Sequence, residues 1–280
     1  MLVPLAGGGQ ETLLSEVGFV LLPLFTTRDA CALRLVCREF LAAVSEHPWE
    51  DRETVIMGSI AAWRACFPHA RCANVQRYED DGSDNRTLPL SDADFVHFEG
   101  LRELYMKGCG HVTDAAFVHL HGLHTLDMSW CQQPSITDAA FAHLAGIQRL
   151  SIWACDQATI TDAAFAHLRG IQMLNMSECG QLTDAAFVRL RGIHTLYMWN
   201  CIQPAITDAA FVHLRGIHTL VMDFCDQDTI TGATFSSLMG ASMLAMCGCS
   251  AVAFTTAQNL GLPVRTTNGM RGAFTYMPIE

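Results

Sequence analysis

Residues 122–146, GLHTLDMSWCQQPSITDAAFAHLAG, form the unit that decides the fold, because variants of this stretch recur along most of the chain. Its first part has the frame L-x-x-L-x-M-x-x-C, whose alternating apolar positions predict a strand with one buried face. Its second part, TDAAFAHL, opens with residues that cap helices and places Phe and Leu three apart, which predicts a short helix. A glycine then ends the helix. Each copy therefore predicts one strand, one loop and one helix.

The cysteine of this frame marks the repeat. Successive copies end 22 or 24 residues apart, at Cys109, Cys131, Cys155, Cys179, Cys201, Cys225 and Cys249. The difference of two residues lies in the loop that follows the cysteine. A regular period of this length indicates a solenoid, in which each unit buries its apolar face against its neighbours. A degenerate first copy precedes the others, with its helix block at residues 91–98.

The frame resembles the leucine-rich repeat, and the cysteine followed by Ile-Thr-Asp resembles the cysteine-containing subclass of that family. The resemblance covers roughly residues 60–250. It implies an α/β horseshoe solenoid with a parallel sheet on the concave side and short helices on the convex side. We therefore predict a leucine-rich-repeat solenoid over residues 51–250, with an acidic loop at 79–90 in its degenerate first repeat. Residues 251–280 are predicted to form a C-terminal cap or tail.

Composition limits the classes of partner. The formal net charge of −11 opposes binding to nucleic acid or to anionic membranes, which requires clustered Lys and Arg. The apolar run at residues 17–25 is too short to span a bilayer, and acidic residues precede it where a signal peptide has basic ones. Most of the cysteines follow the repeat and none forms a CxxC pair, which predicts free thiols. These features predict a cytoplasmic or nuclear protein that binds neither nucleic acid nor membranes.

The polar residues that suggest chemistry also follow the period. We expect the repeated cysteines to be small buried core residues, because their spacing matches no zinc motif. Histidines recur at one helical position, and Arg189 occupies that position in one repeat. An arginine there favours a solvent-facing stripe on the convex side over a set of metal ligands. The histidines are His97, His119, His143, His167 and His213. No phosphate loop or nucleophile elbow occurs. We predict no catalytic residue, no metal and no cofactor.

The positions that vary between repeats lie on the predicted concave face and its rim. Large aromatic and charged side chains occupy them, and such residues dominate protein interfaces. Lateral stacking between neighbouring strands is the alternative explanation. We predict that a protein substrate contacts Tyr105, Lys107, Asp127, Trp130, Arg149, Trp153, Asn175, Glu178, Tyr197, Trp199, Asp223 and Phe224.

The segment before the repeats, residues 13–49, has helical apolar spacing interrupted by Pro23. A second helix is predicted to open with Thr26 and Asp29 in capping-box spacing and to run on to Val44. The order of residues resembles an F-box, with LLSEV at 13–17, LVCREF at 35–40 and Trp49 as its end. Ser15 stands where F-boxes commonly carry proline.

The resemblance implies a small all-α F-box-like helical module over residues 10–50 that docks on a Skp-family adaptor, which tethers a cullin ubiquitin ligase. Carried over by position, the adaptor contacts are Leu13, Leu14, Val17, Leu24, Leu33, Val36, Cys37 and Phe40.

The leading hypothesis is therefore a non-catalytic substrate-recognition subunit of a cullin-type (SCF-like) ubiquitin ligase. The repeats would bind a protein substrate, and the chain would be a monomer outside the complex. The alternative is a stand-alone leucine-rich-repeat scaffold whose N-terminal helices only cap the solenoid, a need that repeat proteins share. An enzyme is the third and weakest hypothesis.

Overall fold

The computed structural model describes residues 21–76 and 90–265, and within them it contains one nine-stranded parallel sheet. The strands lie in the order of the sequence. They are β1 (Cys72–Asn74), β2 (Glu103–Tyr105), β3 (Thr125–Asp127), β4 (Arg149–Ser151), β5 (Met173–Asn175), β6 (Thr195–Tyr197), β7 (Thr219–Val221), β8 (Met243–Ala245) and β9 (Val264–Arg265). Nearly all of the predicted acidic loop lies outside the described residues.

Short helices alternate with these strands, because each TDAAF block forms one turn. The α-helices are α1 (Thr27–Leu33), α2 (Arg38–Glu46), α3 (Ile60–Cys66), α4 (Asp114–Phe117), α5 (Asp138–Phe141), α6 (Asp184–Phe187), α7 (Asp208–Phe211) and α8 (Ala251–Asn259). Turns of 3-10 helix occur at Leu22–Leu24, Asp92–Phe98, Ala142–Leu144, Asp162–His167 and Phe235–Leu238. The predicted α/β solenoid, with a parallel sheet and short helices, is confirmed.

The register aligns the central leucines of neighbouring strands, so that Leu126 pairs with Leu104 on one side and Leu150 on the other. These leucines are buried, together with the Phe of each TDAAF block. One continuous core therefore runs through the repeats. The last strand, β9, extends the sheet beyond β8 and lies in the segment predicted as a cap or tail.

The repeat cysteines link neighbouring repeats through their thiols. Cys155 Sγ lies 3.1 Å from the carbonyl oxygen of Met128, and Cys179 Sγ lies 3.1 Å from that of Ile152. Burial raises the pKa of both thiols well above the usual value, so each keeps the proton that it donates. The repeat cysteines therefore act as buried hydrogen-bond donors.

A second set of contacts joins neighbouring TDAAF blocks. The hydroxyl of Thr137 donates to Asp114 Oδ2 at 2.6 Å, and the backbone N–H of Thr137 donates to Asp114 Oδ1 at 2.7 Å. The same hydroxyl oxygen accepts from the N–H of Ala139, which caps helix α5. Each threonine therefore begins its own helix and binds the aspartate of the previous repeat.

The N-terminal helices have a small core of their own. It consists of Leu22, Ala30, Val44, Trp49, Phe67 and Ala70. The capping box of Thr26 and Asp29 is present, as predicted. The single helix predicted to run to Val44 is wrong, because a turn after Leu33 and an extended backbone at Cys37 divide it into α1 and α2.

Residues 55–66 lie between this small core and the repeats. The N–H of Ile56 donates to the carbonyl of Asn74, and Val55 forms a parallel bridge with Asn74, so the sheet edge at β1 is partly covered. Ile60 belongs to the repeat core, while Trp63 packs against both cores. Within residues 21–76 and 90–265, no helix is long and apolar enough to cross a membrane.

Replacing Asp162 by alanine tests the threonine–aspartate contacts. The change removes the acceptor for both the N–H and the hydroxyl of Thr183, which lie 2.9 and 2.6 Å away. We expect the free energy of unfolding in urea to fall by about 1–3 kcal/mol. Asp226→Ala is the matched control, since this exposed carboxylate accepts no hydrogen bond from the described chain, and should change stability by less than about 0.5 kcal/mol. Equal losses in both variants would contradict this role.

Candidate functional site

The turn after each strand has a fixed backbone shape. The residue directly before each repeat cysteine has a left-handed backbone, with φ between 54° and 72°, and these residues are Gly108, Trp130, Ala154, Glu178, Asn200, Phe224 and Gly248. This conformation costs an L-residue other than glycine roughly 1–2 kcal/mol, and asparagine somewhat less. Trp130 and Phe224 adopt it although they are bulky, and their side chains are 46% and 42% exposed.

Aromatic side chains line the rim of the concave face beside these turns. The Trp130 and Trp153 rings pack edge to face with centroids 5.7 Å apart, and Trp199 and Phe224 do the same at 6.0 Å. Glu178 lies on the repeat between the two pairs. We call these five residues the aromatic strip. Its two aromatic pairs provide a broad, partly exposed surface of the kind that anchors protein partners.

Two neighbouring features shape the strip. A Cβ at Gly248 would lie 2.7 Å from Phe224 Cδ1, so glycine leaves the space that the Phe224 ring occupies. The ammonium nitrogen of Lys107 lies 5.1 Å from the ring centroid of Trp153, which is a cation–π contact. The strip is therefore built from side chains that hold one another in place.

Acidic groups near the strip are partly desolvated. Burial raises the pKa of Glu178, and the neighbouring Trp153 indole opposes that shift. Burial likewise raises the pKa of Asp127, against hydrogen bonds from Ser129 and the charge of Lys107. Carboxylates in such surroundings gain from a cationic or hydrogen-bond-donating partner.

The predicted substrate contacts differ in their exposure. Trp130 and Phe224 are exposed. The half-buried residues are Lys107, Asp127, Arg149, Trp153, Asn175, Glu178, Tyr197 and Trp199. Most of the predicted set therefore reaches solvent on one face.

Tyr105 and Asp223 correct the prediction, because both are buried. Tyr105 is 7% exposed, and its hydroxyl donates to Glu103. Asp223 is 1% exposed, and its Oδ1 accepts from the N–H of Cys247 at 2.5 Å. Alternation in a strand predicts the side of the sheet on which a residue lies but not what its neighbours cover. Neither residue is available to a partner.

The predicted adaptor contacts also divide by exposure. Leu24 and Val36 are 77% and 66% exposed, whereas Leu33, Cys37 and Phe40 are half-buried. Leu13, Leu14 and Val17 lie outside the described residues. Sequence reasoning missed four further exposed apolar side chains near them, namely Leu21, Phe25, Leu35 and Leu41. Leu35 lies in the turn that ends α1, and the positions carried over from the F-box resemblance did not include it.

The sequence matches no known family model and no curated protein. Its structure is similar to TLR13 in a complex with ssRNA13, with a TM-score of 0.54 and 15% identity over 76% of this chain. It is similar to the Toll–Spatzle complex of Drosophila, with a TM-score of 0.51 and 13% identity over 81% of this chain. The complex of Rad7 and Elc1 in yeast gives a TM-score of 0.48 and 14% identity over 70% of this chain.

The chain spans 30% and 33% of the lengths of the first two proteins, and 61% of the third. At these identities the first two likenesses show the fold alone, which is an α/β leucine-rich-repeat solenoid. Within the described part of the chain, no group of three or more His, Cys, Asp or Glu side chains is placed to hold a metal ion.

The effect of pH on stability tests the burial of the Asp223 carboxyl. Burial raises the pKa of its carboxyl, and its Oδ2 has no hydrogen-bond partner among the described residues. The folded protein therefore prefers the protonated acid, and stability is lost as pH rises through the raised pKa. We expect Asp223→Asn to be more stable than wild type at neutral pH, by on the order of 1 kcal/mol.

This difference should shrink as the pH is lowered through the raised pKa, because the wild-type carboxyl becomes neutral as well. Urea unfolding at a series of pH values measures it. Asp226→Asn, at an exposed position nearby, is the control for the loss of one negative charge. The opposite result would be a stability of Asp223→Asn, relative to wild type, that falls as the pH rises to neutrality. It would show that the charged carboxylate is stabilising.

Proposed function

We propose that this chain is the substrate-recognition subunit of a cullin-type ubiquitin ligase, in the cytoplasm or nucleus. Residues 10–50 would form an F-box-like module that docks on a Skp-family adaptor. The aromatic strip would bind a protein substrate. The chain would supply no catalytic group and would act by holding the substrate near the ubiquitin donor, where a high effective concentration speeds transfer.

One observation carries the proposal. The end of the solenoid is covered by Val55, Ile56 and α3, which join the sheet edge and the repeat core. Helices α1 and α2 pack instead on the separate small core around Trp49 and Phe67. These two helices therefore contribute little to capping, which is the only role that the scaffold hypothesis gives them.

The exposed side chains near α1 and α2 support the same assignment. Six large apolar residues in this short region are more than a third exposed, and they are Leu21, Leu24, Phe25, Leu35, Val36 and Leu41. Scattered exposed apolar residues are ordinary, but a concentration of them in one small element indicates a surface that a protein partner covers. An adaptor of the Skp family is the partner that the F-box resemblance implies.

The double variant Leu24→Asp, Val36→Asp tests adaptor docking without disturbing the core, since both side chains are largely exposed. Two carboxylates would have to be desolvated on binding, so we expect at least a tenfold loss of affinity for a purified Skp-family adaptor. The matched control is Met239→Asp, Val252→Asp, because these residues are 62% and 61% exposed far from the N-terminal helices. Isothermal calorimetry with each variant compares the affinities.

Equal adaptor affinity in the two double variants would contradict docking at this surface. No binding by the wild-type chain would favour the stand-alone scaffold. A specific observation keeps that second function open: the aromatic strip is formed by the repeats from β3 to β7 and needs no contact with α1 or α2. In that case strip-dependent partners would bind while the adaptor would not.

Substrate binding at the strip is tested by Trp130→Ala, Phe224→Ala. Truncating two exposed interface anchors should reduce recovery of strip-dependent partners at least tenfold in quantitative affinity purification. The control Val118→Ala, Val212→Ala removes side chains of similar exposure, 42% and 44%, from positions that directly follow α4 and α7. Partners lost from both double variants, or from neither, would argue against the strip as the binding surface.

A further inference from the structure

Opposite charges lie at opposite edges of the sheet in the second half of the solenoid. Between residues 150 and 250 the lysine and arginine side chains are Arg169, Arg189, Arg191 and Arg215, and all of them are exposed. Each follows a TDAAF block and precedes the next strand, so it lies at the edge where the parallel strands begin. The opposite edge, where the strands end, carries the aromatic strip and has no lysine or arginine over these repeats.

Carboxylates occupy the edge that carries the strip. Asp156 follows β4, Glu178 follows β5, and Asp226 and Asp228 follow β7, each in the loop that leads to the next helix or 3-10 turn. The three aspartates are exposed, and Glu178 is half-buried. Within the described chain, no lysine or arginine forms an ion pair with any of the four. We call these residues the acidic edge, whose charge a basic partner would complement.

Glu178 belongs to both the acidic edge and the aromatic strip. Burial raises the pKa of its carboxyl, the Trp153 indole opposes that shift, and the charge of Asp156 adds to it. Two carboxylates that repel each other, one of them partly removed from water, both gain from a cation placed beside them. The surroundings of Glu178 therefore favour a positively charged group from a partner.

The chain itself already places one cation on the strip. The ammonium nitrogen of Lys107 lies 5.1 Å from the ring centroid of Trp153, whereas within the described residues no lysine or arginine lies over the Trp199 ring. Trp153 and Trp199 stand two residues before their repeat cysteines, and Ser177 has that position in the repeat between them. Two strand spacings separate the two backbones by about 9–10 Å. The intervening repeat thus contributes only a small side chain between the tryptophans, with Glu178 beside it.

We propose that the strip binds a basic segment of the partner protein through an arginine side chain, which stacks on Trp199 and pairs with Glu178. The proposal rests on the substrate binding proposed above and deepens it, but it needs no adaptor. Arginine fits better than lysine, because its planar guanidinium stacks on an aromatic ring, is weakly hydrated and donates two N–H groups to one carboxylate. Further basic residues of the segment face the exposed aspartates of the acidic edge.

The first experiment measures binding of defined peptides to the full chain by fluorescence anisotropy. The labelled peptides have equal length, and in each of them glycine and serine alternate with arginine, lysine, trimethyl-lysine or glutamate. The arginine peptide should bind at least about fivefold more tightly than the lysine peptide, and the glutamate peptide should not bind. Tighter binding of the trimethyl-lysine peptide, or equal binding of the arginine and glutamate peptides, would overturn the assignment of arginine.

Variants of the strip locate the binding. Glu178→Gln and Trp199→Ala should each weaken binding of the arginine peptide roughly three- to tenfold, and Trp199→Phe, which keeps a ring, should lie between Trp199→Ala and wild type. Glu53→Gln is the matched control, since it removes one negative charge from an exposed side chain near the N-terminal end of the sheet. Equal losses in Glu178→Gln and Glu53→Gln would show that only the net charge attracts the peptide, and would overturn the site.

Charge reversal guards against a fold defect. Glu178→Arg should lose the arginine peptide and gain binding of the glutamate peptide, whereas a misfolded variant would bind neither. Circular dichroism compares the fold of this variant with that of wild type. An Glu178→Arg variant that keeps the wild-type fold and the wild-type affinity for the arginine peptide would overturn the proposal.

A second copy of the chain is the competing occupant, because its exposed arginines, such as Arg191, could approach the acidic edge. Sedimentation equilibrium of the full chain should show a monomer at the concentrations used for the peptides. Self-association that Glu178→Gln abolishes would identify a second copy as the occupant and overturn a substrate segment.

A parallel measurement of adaptor affinity separates failure of this proposal from failure of the proposed function. A chain that binds the arginine peptide through Glu178 but binds no adaptor would overturn the ligase function and leave this site in place. Adaptor binding without arginine-peptide binding would overturn this inference alone. The same holds if partners that Trp130→Ala, Phe224→Ala removes are still recovered in full by Glu178→Gln.

Discussion

Each repeat depends on hydrogen bonds that the next repeat supplies. The strands are only two or three residues long, so the strand ladder alone pairs few of the backbone groups in a repeat. The cysteine thiol supplies a donor outside the strand ladder, since it donates to a backbone carbonyl of the preceding repeat. Gln157, two residues after Cys155, donates in the same direction to the carbonyl of Cys131 at 3.0 Å. A buried carbonyl without a donor would cost about 1–3 kcal/mol, so these side chains cannot vary freely.

This dependence explains where the chain can carry recognition. The core leucines, the donors to the preceding repeat and the threonine–aspartate pairs are fixed by contacts between neighbours. Variation is left to the outer helix positions and to the concave rim, and the rim carries the Trp130–Trp153 and Trp199–Phe224 pairs. There Trp130 and Phe224 take a left-handed backbone that costs free energy, and the repeat cysteines that follow them hold the turn in place. Strain of this kind is tolerated where the surrounding contacts determine the backbone.

The sequence predicts the repeat, the buried face of each strand and the buried cysteines, because each of these follows from the period of the repeat. It does not predict the exposure of a residue that depends on neighbours in space. Tyr105 and Asp223 lie on the predicted face but are buried. The break between α1 and α2 was missed because an apolar stripe can continue across a turn. The left-handed turns are not evident from composition, since glycine occupies only two of the seven positions and Trp, Ala, Glu, Asn and Phe occupy the others.

The N-terminal region shows how such a chain can carry a second surface. A solenoid must cover its open end, and here Val55, Ile56 and α3 do so with a short stretch that joins the sheet and the repeat core. Trp49 then ties the helices to the first repeat, since its carbonyl accepts from the N–H groups of Arg71 and Cys72. The apolar side chains near α1 and α2 are consequently not buried by covering the end of the solenoid. A partner can cover them without disturbing the repeats, which leaves the aromatic strip free for a different protein.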